Sequence, residues 1–525
     1  MSENDQHSAA RVAINTVMLS EAEIFYRALL NRDARFDGRF FTGVVTTGIY
    51  CRPICPAPTP KPQNVRFYPC ASAAEAAGFR ACRRCRPEFS PSTPAWLGTS
   101  ATVSRALRLI AAGGLDDANV EHLAARLGVG DRHLRRLFAE HLGASPVEIA
   151  QTRRTHFARK LIDETQLPMT AVALQAGFSS VRRFNGAIRG AFGRSPTELR
   201  RASRSDSNAH PGGGLLLKLP YRPPLDWPRM LGFLAARAIP GIEHVAQGAY
   251  HRTIRLIDSH GTIQVYALAD KPCLLLNLQW HASPALLPIV ERARQLFDLN
   301  ADLMGINQQI GRDRLLRPLI KAHPGLRPLG AWDPFELAVR AVLGQQVSVQ
   351  GARTLAARLV ERFGTRIADS GAGPLTHLFP RPDVLADAEF ASIGLTRQRA
   401  VTIRALSRAV CDGRINWTAT GGLDDGVVRL TELPGIGPWT AHYIAMRALG
   451  EPDAFPASDL GIRKAISAGG RLLSPGEAER RAEVWRPWRA YAVMHLWTSD
   501  VTSPKAKRKQ QPEGLRPPLA NLRAV

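Results

Sequence analysis

The sequence predicts a multidomain, mostly α protein with two small sheet-bearing units, and three observations lead there. Four of the seven cysteines crowd between residues 51 and 85. Helical stretches of one plan recur at 120–143 and 169–196. Strand-like runs fill 215–280 and then give way to helical periods from 284 to 500. In order, these read as a small α/β unit stapled by metal, an all-α repeat, an α+β unit and an all-α core.

At 525 residues the chain has room for roughly three or four domains. A hydrophobic fraction of 45% allows real cores, so general disorder is excluded. Lys and Arg outnumber Asp and Glu by 69 to 45, a net charge of +24. Such an excess implies a polyanionic partner, because neutralising phosphates releases counterions. A membrane partner is disfavoured, since no apolar run of about 18 residues and no basic amphipathic anchor occur. The start, MSENDQHSAARVAINTV, lacks a secretory layout. The expected location is therefore the cytoplasm, where thiols stay reduced and clustered cysteines favour metal over disulfide.

The first unit follows from CRPIC and CRRC, which hold Cys51 with Cys55 and Cys82 with Cys85. Two short-spaced pairs suit a tetrahedral zinc site with Zn–S bonds of about 2.3 Å. The bland reading is a structural zinc. The sharper one makes a thiolate the nucleophile, because four thiolates around Zn²⁺ leave net negative charge on sulfur, which can take a methyl group by in-line displacement. The stretch 35–90, with TTGIYCRPIC and GFRACRRC, resembles the zinc domain of the Ada methylphosphotriester-repair proteins. The resemblance implies that Cys51 accepts the methyl group, that Cys55, Cys82 and Cys85 complete the site, and that Arg84 holds a backbone phosphate with Thr47 nearby. Methylation would remove a negative charge and tighten DNA binding. Cys70, between the pairs, reads as packing.

The all-α repeat reads as two helix-turn-helix units. In the first, Leu123, Leu127, Leu134, Leu137 and Phe138 make the apolar face and Gly128 the turn. Arg132, His133, Arg135 and Arg136 lie on the open side of its second helix. In the second, Val172, Leu174, Phe178, Phe184 and Ile188 are apolar and Gly177 turns, with Arg182 and Arg183 opening the second helix. Each unit ends in Gly-x-Ser-Pro, GASP and GRSP. A generic helical hairpin would explain either alone; the tandem resembles the AraC family of transcription regulators. That implies two recognition helices in successive major grooves, with arginines reading guanine or touching phosphate.

The α+β unit rests on LLLKLP, HRTIRLI, TIQVYAL and CLLLNLQW, which suggest an antiparallel sheet over 215–280. The last unit rests on LPGIGPWTAHYIAMRALG at 433–450, which has the form of a helix-hairpin-helix: Gly435 and Gly437 let amides face a DNA phosphate. FPASDLGIRKA follows, with Asp459. An isolated Asp is usually a cap or surface charge. Together with DWPRMLGFLAARAIPG, FELAVRAVLGQQVSV and RPWRAYAVMHLW, however, the region 215–500 resembles the helix-hairpin-helix DNA glycosylases of the AlkA 3-methyladenine type.

The resemblance implies that Asp459 is the catalytic carboxylate, supporting oxocarbenium character on the sugar. A flipped base would lie among Trp439, Tyr443, Trp497 and Phe233, where electron-rich rings favour a cationic purine. Carbonyls near Thr431, Leu433 and Ile436 would bind a monovalent cation. Trp439 stands where bifunctional relatives carry a lysine, so no lyase activity is expected. Gln346 replaces a usual leucine at the position that fills the gap of the flipped base, and Leu460 and Gly461 follow Asp459 where an aromatic is common.

The expected fold class is then a small α/β zinc domain, an all-α tandem helix-turn-helix, an α+β subdomain and an all-α helix-hairpin-helix glycosylase core. The expected domains are 15–92, 98–203, 215–283 and 284–500, with a linker at 204–214 and a basic tail at 501–525. The expected partner is double-stranded DNA, alkylated or promoter, with RNA polymerase contacted by an activator. A bacterial, nucleoid-associated monomer would suffice. No PCHRV-type segment for O6-alkylguanine repair occurs. The rival reading is a transcription regulator whose C-terminal part holds DNA without catalysis.

Overall fold

A computed structural model describes residues 20–90, 101–116, 118–202, 214–256, 259–280, 286–367, 373–417, 422–467 and 470–499. The tail at 501–525 and all of the expected linker except Gly214 lie outside them.

The first unit opens with helix α1 (Glu21–Leu30), started by a Ser20–Glu23 capping box. Its four-stranded sheet has the order β3-β1-β2-β4, with β1 Phe41–Val44, β2 Ile49–Cys51, β3 Val65–Tyr68 and β4 Arg80–Ala81. Helix α2 (Ala71–Ala76) lies between β3 and β4. A T-shaped stack of Phe40 on Phe67 and the ring of Phe25 fill what little core so small a unit can make.

Seven helices follow: α3 (Ala101–Ala111), α4 (Val120–Arg126), α5 (Asp131–Leu142), α6 (Pro146–Glu164), α7 (Met169–Gln175), α8 (Val181–Phe192) and α9 (Pro196–Ala202). The repeated Gly-x-Ser-Pro is one device used twice. Gly143 and Gly193 stop α5 and α8 with φ of 63° and 65°, which only glycine adopts without strain. Ser145 and Ser195 then accept from the amides of Glu148 and Glu198, whose carboxylates bond back, and proline takes the first helical position. Gly128 and Gly177 turn with φ of 70° and 80°. The apolar faces are buried as expected, only partly at Leu137, with one correction: Leu174 is 66% exposed, because the buried stripe runs through Val172, Ala173 and the C-cap residue Ala176 instead.

The second sheet is five-stranded and antiparallel, in the order β5-β9-β8-β7-β6. Its strands are β5 Leu215–Pro220, β6 Glu243–Ala246, β7 Ala249–Leu256, β8 Ser259–Ala267 and β9 Cys273–Trp280. The sequence reading missed β6, a short strand with no apolar alternation. Helix α10 (Trp227–Arg237) packs on β6 and β7, with Trp227, Met230 and Leu234 in one apolar cluster with Leu276 and Leu278 of β9.

The helical core divides into two apolar clusters. One gathers Leu430, Leu433, Ile436 and Ile444 with helices Pro334–Leu343 and Arg397–Cys411. The other gathers Phe455, Ile462, Trp485 and Leu496. Tyr443 packs against both, so it sits at their seam.

The units are joined by polar contacts. Glu75 accepts from Tyr50 Oη at 2.8 Å and Thr152 Oγ1 at 2.6 Å, linking the zinc-type unit to α6. Arg108 of α3 donates to the Leu449 and Gly450 carbonyls at 2.6 and 2.8 Å and pairs with Glu451 at 2.9 Å. This caps the C-terminal end of the second hairpin helix, Pro438–Arg447. Among the described residues no helix is long and apolar enough to cross a membrane.

Candidate functional site

Two sites emerge. At the first, Cys51, Cys55, Cys82 and Cys85 place their sulfurs within 4.8 Å of one another. Cys55 and Cys82 are 4.0 Å apart, near the roughly 3.8 Å edge of a zinc–thiolate tetrahedron. β2 delivers Cys51 and the turn after β4 delivers Cys82 and Cys85. Crowded sulfurs cannot all ionise unaided. Contact with Cys55 and Cys82 pushes Cys51 up, contact with Cys51 and Cys55 pushes Cys85 up, and contact with Cys51 pushes Cys82 and Cys55 down. A doubly charged cation at the centre removes that conflict, so the donor set fits zinc. Arg52 donates its backbone amide to Cys85 Sγ at 3.3 Å, and its guanidinium bonds the buried Asp37.

The four sulfurs differ in access. Cys55, Cys82 and Cys85 are buried, whereas Cys51 is half-buried. It opens into a cavity of about 580 Å³ rimmed by Thr47, Arg84 and the prolines after Cys55. Cys70 is buried and donates to the Leu142 carbonyl, a packing role as expected.

The expected DNA-reading arginines of α5 and α8, Arg132, Arg135, Arg136, Arg182 and Arg183, are all exposed. Arg135 is engaged with Glu121 at 3.3 Å, Arg136 with His133 at 3.1 Å and Arg183 with Ser179 at 3.3 Å. These contacts hold side chains that would have to be released to meet bases.

At the second site, the hairpin Leu433–Gly437 buries Leu433 and Ile436 and leaves Gly435 and Gly437 outward. Gly435 has φ of 81°, and a Cβ there would run into the Thr402 side chain. Pro438 begins the second hairpin helix, so its free amides face solvent at the glycine turn. Leu433 O accepts from Ile436 N at 3.1 Å, and Thr431 Oγ1 donates to the Val428 carbonyl.

Asp459 caps the helix Leu460–Ser467, accepting from Ile462 N at 3.0 Å. It also accepts from Trp439 Nε1 at 3.0 Å and Trp497 Nε1 at 3.3 Å. Capping and indole contacts coexist because a carboxylate offers about four lone-pair sites. Trp439 stacks on Tyr443 at 5.5 Å and 12°, and Tyr443 meets Trp497 at 6.3 Å. Three expected rings and the carboxylate therefore form one cluster. Phe233 is joined to it through arginines: Arg237 lies 3.7 Å over its ring and Arg447 4.9 Å. Arg447 also donates to Tyr443 Oη at 2.9 Å. Burial pushes the Tyr443 phenol up, but Arg447 and Arg237 outweigh it and hold it below the usual range.

Gln346 is exposed at a loop tip, with φ of 54°. Its neighbour Gln345 donates to Gly435 O at 2.9 Å and Thr440 Oγ1 at 3.0 Å, and Arg399 donates to the Gln345 carbonyl. Sequence reasoning missed this brace and the two arginines. Phe233 with Arg237 and Tyr443 with Arg447 are both i,i+4 pairs, a helical spacing that could have revealed them.

The comparisons with known proteins divide the chain in the same order. Family profiles match residues 25–88 (metal binding domain of Ada), 123–202 (helix-turn-helix domain), 216–333 (AlkA N-terminal domain) and 339–490 (HhH-GPD superfamily base excision DNA repair protein). DNA-3-methyladenine glycosylase 2 of Escherichia coli is 35% identical over 54% of this chain and 98% of its own. The bifunctional transcriptional activator/DNA repair enzyme Ada of the same organism is 36% identical over 29% of this chain and 42% of its own. A Mycobacterium tuberculosis protein, named as a probable bifunctional transcriptional activator/DNA repair enzyme AlkA, is 44% identical over 92% of this chain and 97% of its own. With the four-cysteine zinc site, the paired helix-turn-helix units and the hairpin core in one chain, this protein belongs to that family of bifunctional AlkA activator/repair enzymes.

Proposed function

We propose that this protein senses methylated DNA phosphates through Cys51, regulates genes through α5 and α8, and excises alkylated purines through Asp459. The observation that carries the enzymatic part is Asp459, held by two indole N–H groups beside Tyr443 and behind a glycine hairpin. Neutral donors orient the carboxylate without cancelling its charge, which suits a cationic transition state.

A flipped 3-methyladenine leaves with the electron pair of its glycosidic bond, which neutralises the purine. Asp459 faces the sugar cation so formed, and water adds at C1′ with loss of a proton. The exposed amides at Gly435 and Gly437 hold the phosphate beside the lesion. The carbonyls of Thr431, Leu433 and Ile436 would hold a monovalent cation there, and Gln346 fills the gap left in the stack. Trp439 offers no amine, so the strand is left uncut.

At the other end, the Cys51 sulfur attacks the methyl carbon of a phosphotriester. The C–O bond breaks, its pair stays on the phosphate oxygen, and a neutral thioether remains. Zinc when bound keeps the thiolate ionised at neutral pH. Arg84 and Thr47, on the cavity rim, receive the phosphate. The domain limits are proposed as 15–92, 98–203, 215–283 and 284–500. One chain carries both recognition helices, so a monomer suffices, and activation implies contact with RNA polymerase on the bacterial nucleoid.

The test is release of 3-methyladenine from methylated duplex DNA by the full-length protein, against Asp459→Asn. Equal release by both would refute the catalytic assignment.

A further inference from the structure

The cavity in front of Cys51 is not built by the zinc-type unit alone. Ala191 and Phe192, the last two residues of the second recognition helix α8, line it together with Cys51, Thr47 and Arg84. Arg83, between two zinc ligands in sequence, donates to the Phe192 carbonyl at 3.2 Å and so caps α8. Gly193 follows in the left-handed conformation, and a Cβ there would lie 3.6 Å from the Arg83 guanidinium.

A second route from Cys51 ends on the same residue. On β2 successive side chains face opposite ways, so Tyr50 points away from the metal site. Its hydroxyl bonds Glu75 at 2.8 Å and His156 Nε2 at 3.2 Å. The His156 ring meets the Phe192 ring at 6.4 Å, and the Arg159 guanidinium lies 5.5 Å from the Phe192 ring centre. Phe192 is only 7% exposed. It is fixed by its carbonyl, by its ring and by the closing glycine, all from parts that also hold the zinc-type unit.

We propose that Phe192 is a positioning residue for methyl capture: the C-terminal end of α8 forms a wall of the pocket that receives the methylated phosphate, so capture and the seating of α8 on DNA are one event. The inference rests on the methyl-acceptor reading of Cys51 given above. An apolar wall suits a phosphate whose charge has been masked by a methyl group, and an ionised diester gains nothing from it. Arg183 to Phe192 spans about 14 Å at 1.5 Å per residue, so the captured phosphate lies close to the groove that the start of α8 enters. The thioether formed at Cys51 then projects its methyl group toward this wall, which gives the methylated state a direct contact with the second DNA reader.

The test uses the full-length zinc-loaded protein and two methyl donors: duplex DNA treated with methylnitrosourea, and methyl iodide. Peptide mass mapping reads methylation of Cys51 with each, separately from the exposed thiol of Cys411. Methyl iodide needs no docking, so Phe192→Ala should react with it at the wild-type rate and keep its zinc. Capture from DNA by Phe192→Ala should fall about tenfold or more, since misplacement by about 1 Å costs up to a hundredfold. Phe192→Leu should restore most of it. Wild-type capture from DNA by Phe192→Ala overturns the inference, and so does parallel loss with both donors, which would mark simple damage to the zinc site. Should Phe192→Ala not fold, hydrogen exchange over 181–193 in the wild type must change on methylation by methyl iodide; unchanged exchange overturns the proposal. If the wild type takes no methyl group from DNA, the methyl-acceptor reading itself falls.

Discussion

In the roles proposed for them, Cys51 and Asp459 would obtain their reactivity in opposite ways. Cys51 is the most open of four like groups, and its proposed nucleophilicity would come from charge crowded onto sulfurs around one cation. Asp459 is a single carboxylate among unlike groups, and its usefulness comes from being aimed by Trp439, Trp497 and the Ile462 amide. The first site is made by composition over a short stretch of chain. The second is made by geometry between three separate helices, with Trp439 and Trp497 lying 20 and 38 residues from Asp459. A thiolate that is consumed needs charge and access; a carboxylate that turns over needs fixed direction.

The sharpest break of that comparison is Cys85→Ala. Losing one of the three buried ligands among the four should empty the site, because structural zinc contributes on the order of 10–16 kcal/mol of coupled folding energy. Metal analysis should find no zinc, and limited proteolysis should cut the first unit while base excision survives. Next in size is Asp459→Asn, expected to lower excision about a thousandfold with DNA affinity retained. Methyl capture at Cys51 should not change. If it does, the two sites are not separate machines.

Trp439→Phe keeps a ring in the stack but deletes the N–H held by Asp459. Loss of a hydrogen bond to a charged group should cost about 2 kcal/mol, roughly thirtyfold in turnover. Single-turnover kinetics should place the loss in the chemical step. An unchanged rate would mean that aim matters less than the comparison claims.

The smallest effect concerns the helix that carries Trp497. His495 on that helix is fully buried, and burial holds its imidazole down at about 4. The native state resists a proton that the unfolded chain takes near pH 6.5. Stability from this group is complete above about pH 6.5 and is lost as pH falls toward 4, by at most about 1.4 kcal/mol per pH unit. His495→Phe should remove that part of the slope in denaturant titrations. The zinc unit has no such group on its sheet and should melt by metal loss instead.

The four cysteines, the paired Gly-x-Ser-Pro stops and the LPGIG hairpin were legible in sequence because each is a local device with fixed spacing. Asp459 was legible only through the family it resembles; nothing nearby in sequence announces the two indoles that hold it. The Gln345 brace and the reach of Arg447 over Phe233 escaped because their partners come from other helices, whereas Arg237 over Phe233 is an i,i+4 pair whose spacing was readable. Leu174 misled for the reverse reason: an apolar residue on a short helix was assigned to the core, while Ala173 and Ala176 fill that face. Small residues carry little weight in a hydrophobic pattern and much in close packing.

The unequal exposure of the four sulfurs has one more result. The opening through which Cys51 would take a methyl group would also admit peroxide, and an electron-rich thiolate is the first rung of the oxidation ladder. Oxidation there would spend the detector without any lesion in DNA and loosen one corner of the metal cage. On the proposed roles, oxidation would therefore silence methyl sensing while excision kept working, since the described groups around Asp459 (Trp439, Tyr443 and Trp497) include no thiol.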